Sequence, residues 1–144
     1  MTHPRDQDVA TLLGDAAARA SRYLGTLDAR SVAPTPASID ALAALDEPLP
    51  EHPSEPAAVL ARLDEFVSPA TMAMAGRRFF GFVIGGSLPA TLAANWLAGA
   101  WDQNAALARV APGVAKLEEV ALGWLKDILG LPAGCEGAFV TGAT

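Results

Sequence analysis

Residues 111–132 read APGVAKLEEVALGWLKDILGLP, and their periodicity sets how the rest of the chain is read. Val114, Leu117, Ala121, Trp124, Leu125, Ile128 and Leu129 recur at intervals of three and four, which puts them on one face of an α-helix. Pro112 stands where a first helical residue belongs, because the N–H it lacks is one that a helix start leaves unused. Gly130 followed by Pro132 supplies the stop. The spacing therefore predicts a helix from Pro112 to Gly130 with an apolar stripe that needs a covering surface.

Moving upstream, Pro89 opens a second helix with Leu92, Ala93, Trp96, Leu97 and Ala100 on its apolar side, interrupted at DQNAAL. Before it, FFGFVIGG is an aromatic and β-branched run ending in a glycine pair, the texture of an extended segment and turn. Phe79 to Trp101 is free of charge over 23 residues, a length that could cross a bilayer. Gly85, Gly86, Ser87 and Pro89 break it in the middle, so its halves read as an extended piece and a buried helix instead.

The first 75 residues are expected to be helices joined by stiff proline connectors. Asp8 to Leu27 carries Val9, Leu12, Leu13, Ala16, Ala20, Tyr23, Leu24 and Leu27 at helical spacing. Pro34 and Pro36 interrupt, and a short helix from Ser38 to Leu45 follows. Pro48, Pro50, Pro53 and Pro56 mark a connector, after which Ser54 is placed to cap a helix running through Val59, Leu60, Leu63, Phe66 and Val67. These helices have apolar stripes and no sheet of their own to cover. They read as an arm that packs on the rest of the chain or on a second copy, with a free-standing helical bundle as the alternative.

Composition excludes several classes. With 51% hydrophobic and 18% charged residues in 144, the chain can bury a core. A net charge of −6, with only Arg77 and Arg78 adjacent, disfavours a nucleic-acid surface. One cysteine, Cys135, leaves no internal disulfide, and the first residues lack the apolar core of a signal peptide, so a cytoplasmic protein is expected. His3 and His52 lie far apart with no metal-ligand spacing. Ser87, in GGSLP, lacks the following glycine of a nucleophile elbow and reads as a turn or helix-cap residue. GFVIGGSL lacks the lysine of a phosphate-binding P-loop. Glu118 and Glu119 are neighbours on a helix and point apart, so they cannot flank one bond.

What remains is the stretch GAFVTGAT, Gly137 to Thr144. A short strand candidate, Gly137 to Thr141, runs into small residues whose backbone could approach an anion closely.

The ordered series RRFFGF, LAANWLAGAWDQNA, APGVAKLEEVALGWLKDILGLP and GAFVTGAT resembles the N-terminal portion of the pyridoxal-phosphate-dependent decarboxylases of the aromatic-L-amino-acid and glutamate decarboxylase group. Pro112, Leu117-Glu118, Trp124-Leu125 and Leu129-Gly130-Leu131-Pro132 fall in register with that family's pattern, over about Phe66 to Thr144. The resemblance implies a mostly α segment forming the N-terminal part of an α/β PLP-dependent transferase fold of the aspartate aminotransferase-like type I. Residues 1–75 would be a dimerisation arm and 76–144 the start of the PLP-binding domain. It implies a homodimeric lyase acting on a small-molecule amino-acid substrate, with pyridoxal 5'-phosphate as cofactor, without nucleic acid or membrane as partners. Gly142, Ala143 and Thr144 would bind the cofactor phosphate. Phe80, Phe82 and Val83 would wall the substrate, and Asn104 would approach the neighbouring subunit's site. Three departures stand out: Gly76-Arg77 replaces an expected His-Pro, Asn95 an expected Asp, and Ala111 an expected Ser. The family's cofactor-bearing lysine has no counterpart here, since Lys116 and Lys126 lie on the Pro112 helix, so these 144 residues are expected to be inactive alone. A self-contained helical dimerisation or interaction module without catalysis is the rival reading.

Overall fold

The computed structural model describes residues 9–105 and 107–140. Of these, 56% are helical and no strand forms among them, so the segment is mostly α. The chain divides into two compact units, Met1–Ser87 and Leu88–Thr144.

The first unit is built on α1 (Val9–Thr26), as the spacing of its apolar residues predicts. The proline-rich stretch after it behaves differently from expectation. Pro36 is not a breaker but the first residue of α2 (Pro36–Asp40), because Thr35 caps that helix through its hydroxyl, which accepts the Ser38 N–H at 3.2 Å. The chain then tightens into a 3-10 turn, Ala41–Leu45. Likewise α3 (Pro56–Arg62) takes Pro56 as its first residue, so the cap position falls on Glu55 and not on Ser54, and no side chain bonds there. Beyond Arg62 the helix widens into a π turn, Leu63–Val67, and then narrows to a 3-10 turn, Ser68–Ala70.

Such short helices leave carbonyls without intrahelical partners, and arginines fill them. Arg30 Nη2 donates to the carbonyls of Ser68, Pro69 and Thr71 at 2.9, 3.2 and 3.3 Å, while its guanidinium stacks 4.8 Å above the Tyr23 ring. The Tyr23 hydroxyl in turn lies 2.9 Å from Thr71 Oγ1. Arg62 closes the proline connector by reaching Glu47 at 2.9 Å and the Ala44 carbonyl at 2.7 Å. Leu27 and Ala73 are the buried apolar residues here, so cohesion in this unit leans on these polar ties more than on a core.

The second unit has two helices, α4 (Pro89–Trp101) and α5 (Pro112–Leu129). Ser87 does not cap α4. The cap position is Leu88, and Thr91 serves it: its hydroxyl accepts the Leu88 N–H at 3.1 Å and donates to the Leu88 carbonyl at 2.8 Å. Asp102, left-handed at φ 48°, ends the helix. α5 stops as predicted. Gly130 takes φ 63°, its N–H donates to Asp127 O, and the Leu131 N–H donates to Lys126 O, the paired bonds of a Schellman motif.

After that stop the chain runs back along α5. Lys126 Nζ donates to Cys135 O at 3.2 Å, Gly137 lies so close that a Cβ would meet Leu122 Cδ2 at 3.3 Å, and the Phe139 N–H donates to Glu118 Oε1 at 3.3 Å. Each step of two residues on the returning chain matches four on the helix. Two extended residues advance about 6.6 Å and one helical turn of four about 6 Å, so residues 135–139 run extended and antiparallel to α5. The strand candidate Gly137 to Thr141 thus has the conformation without the pairing: residues 137–140 have no strand beside them among the described residues, and residue 141 lies outside them.

Candidate functional site

The substrate-wall residues sit on a tight turn, not on the extended run their composition suggested. The Ile84 N–H donates to the Gly81 carbonyl at 3.3 Å, and the two central residues, Phe82 and Val83, are left-handed at φ 57° and 55°. This is the pattern of a type I′ turn, a geometry that favours Asn-Gly. For a β-branched valine it is a strained state. A Cβ at Gly81 would lie 3.2 Å from the Phe79 ring, so any larger residue there would have to push that ring aside. That ring packs against Phe82 at 6.3 Å between centroids. The turn presents its side chains outward: Phe80 is 91% exposed, Phe82 75% and Val83 fully so.

The base of this turn is clamped to the end of α1. Arg77 forms a two-pronged bond to Asp28 at 2.6 and 3.1 Å, and Arg78 donates to the carbonyls of Leu27 and Arg30. These two arginines, which open the RRFFGF motif, tie the aromatic segment to the chain that follows α1.

Asn104 belongs to the second unit and is exposed. Gly142, Ala143 and Thr144 lie outside the described residues. The structure therefore places Phe82 and Val83 at the centre of one turn with Phe80 just before it, and Asn104 on the connection that follows α4.

Between α5 and the returning chain is a cleft of about 720 Å³ lined by Val114, Leu117, Glu118, Ala121 and Phe139 among others. It is apolar apart from Glu118, whose carboxylate fixes the Phe139 backbone. Glu119, by contrast, pairs with Lys116 at 2.9 Å on the exposed side of α5. Adjacent acids on one helix thus divide into an anchoring residue and a solvated one. Among its described lining residues there is no Lys or Arg. Among the described residues no group of three His, Cys, Asp or Glu is placed to hold a metal ion, and no helix is long and apolar enough to cross a membrane.

Comparison with known proteins yields no matching family model, no matching curated protein and no matching solved structure.

Proposed function

We propose that this chain is the N-terminal segment of a PLP-dependent amino-acid decarboxylase, contributing a dimerisation arm, part of the substrate wall and part of the cofactor-phosphate site. The observation that carries the reading is the ordered series from RRFFGF to GAFVTGAT, whose motifs keep the family's spacing over about Phe66 to Thr144. Two features of the second unit support it. α4 and α5 bury no side chain completely, leaving Leu117, Trp124, Ile128 and Leu129 each at least 60% exposed. The extended residues 135–139 run beside α5 without a neighbouring strand among the described residues. A helix packed on a sheet needs both: an apolar face to lay down and strands to lay it on.

In this reading Gly142, Ala143 and Thr144 take the cofactor phosphate, Phe80, Phe82 and Val83 wall the amino-acid substrate, and Asn104 approaches the neighbouring subunit's site. Glu118 is a positioning residue that holds the approach to the phosphate motif through the Phe139 N–H. The lysine that carries the cofactor is assigned to polypeptide beyond residue 144.

Extending the reading frame past codon 144 tests the proposal. A continuing frame with a downstream lysine, whose product retains pyridoxal phosphate and loses it when Thr144→Ala is introduced, is the expected result. A folded, monodisperse 144-residue dimer indifferent to the cofactor would replace it with the helical interaction module.

A further inference from the structure

The first unit contains a cleft of about 480 Å³ that the decarboxylase reading leaves unused. It lies between the end of α1, the connection to α2, and the turn at Ser68. Its volume falls within the roughly 300–1,000 Å³ typical of small-molecule sites.

The wall is chemically one-sided. Two guanidiniums, Arg22 and Arg30, share it with the hydroxyls of Thr26, Ser38 and Ser68 and with a single carboxylate, Asp64. That carboxylate is already matched, by Arg19 Nη1 at 2.8 Å and Arg22 Nη2 at 2.6 Å. In the cluster around the cleft three arginines, Arg19, Arg22 and Arg30, stand against two aspartates, Asp15 and Asp64, which leaves one positive charge in a chain of net −6. Arg22 bonds Asp64 through Nη2, and Arg30 bonds its three carbonyls through Nη2. A guanidinium carries five N–H donors in a planar fork, so each has further donors beyond these bonds. The plane of Arg30 is also fixed by its stacking on Tyr23.

We propose that this cleft binds a small oxyanion, the carboxylate or phosphate group of a soluble metabolite, with Arg22 and Arg30 as its charged donors and the Ser68 hydroxyl as a neutral one. A cation is opposed by the net positive charge, and a neutral polyol leaves that charge unanswered. Paired guanidinium donors recognise planar and tetrahedral oxyanions alike, which is why the shared chemistry is an oxyanion.

Hydrogen–deuterium exchange of the 144-residue chain at constant ionic strength tests this, with inorganic phosphate in one arm and succinate in the other. Saturable slowing confined to peptides covering residues 22–38 and 64–69 is expected. Slowing by phosphate alone assigns a phosphate group, by succinate alone a carboxylate, and by both an oxyanion of either kind. Arg22→Gln, at a side chain 61% exposed and paired with Asp64, should raise the half-saturating concentration about tenfold or more. Arg62→Gln, whose partner is Glu47 outside the cleft, should leave it unchanged. No saturable slowing in either arm, or an equal loss in both variants, overturns the proposal.

Discussion

Asp64 sits between Arg19 and Arg22 and joins α1 to the π turn that follows α3. Burial opposes its ionisation, but the hydrogen bond from Arg19 and the charges of Arg22 and Arg19 outweigh that cost and hold its carboxyl below the usual range. A depressed folded-state pKa contributes stability in full above the unfolded value of about 3.9, and loses it as pH falls through the folded value. Asp64→Asn should therefore lower the melting temperature at pH 7, and the gap to the parent chain should narrow as pH falls below the unfolded value and through the folded one, read by circular dichroism. A gap that persists at low pH would assign the loss to packing. Val83 makes the opposite case. Its side chain is fully exposed and its backbone left-handed, a state costing a β-branched residue about 1–2 kcal/mol. Val83→Gly should stabilise the chain by up to about 1 kcal/mol in urea unfolding, despite the entropy glycine usually adds to the unfolded state. Neither residue announces these roles in sequence: Asp64 is one acid among many, and FFGFVIGG has the composition of a strand.

The helices divide sharply between those legible in sequence and those that were not. α1, α4 and α5 followed directly from apolar spacing, with Pro89, Pro112 and Gly130 at the ends where their chemistry fits. The Gly130 position can be checked directly. Ala there must adopt φ 63° and give up the freedom that makes glycine the usual residue, so Gly130→Ala should cost about 1 kcal/mol. Tyr23→Phe removes the hydroxyl that meets Thr71 Oγ1 at 2.9 Å and Met72 O at 3.3 Å, and should cost about 1 kcal/mol, measured by chemical unfolding. The short helices are less legible at their starts: α2 begins two residues before the expected Ser38, and the α3 cap falls one residue after the expected Ser54, because in each case a proline takes the first helical position. A proline ends a helix only from within; at the first position it begins one, and which of the two applies depends on the cap before it.

Over the whole molecule the outstanding feature is apolar surface that the described structure does not cover. Leu117, Trp124, Ile128 and Leu129 on α5, and Leu97 and Trp101 on α4, are all about half exposed or more. Patches of this kind mark surfaces meant for contact, and in isolation they associate. The 144-residue chain should bind a hydrophobic dye and show concentration-dependent light scattering. Introducing Leu117→Lys together with Ile128→Lys should reduce both without loss of helical circular dichroism, since both side chains are at least 60% exposed. Loss of helicity in that variant would show the face to be internal.

The sequence by itself determined the helical periods, the stop at Gly130, the divided character of Phe79 to Trp101 and the acidic, cysteine-poor composition. Each of these depends on residues within a turn or two of one another, where local sterics and backbone hydrogen bonding dominate. Only the tertiary structure decided that Arg30 and Arg78 satisfy distant carbonyls, that Glu118 and not Glu119 holds the returning chain, that Phe82 and Val83 turn left-handed, and that Arg22 and Arg30 share a cleft. Most of those outcomes depend on which groups meet across long stretches of chain, 21 residues from Glu118 to Phe139 and 51 from Arg78 to Leu27. No periodicity records such a meeting, because it is selected by the need to pair buried or half-buried polar groups once the helices have formed.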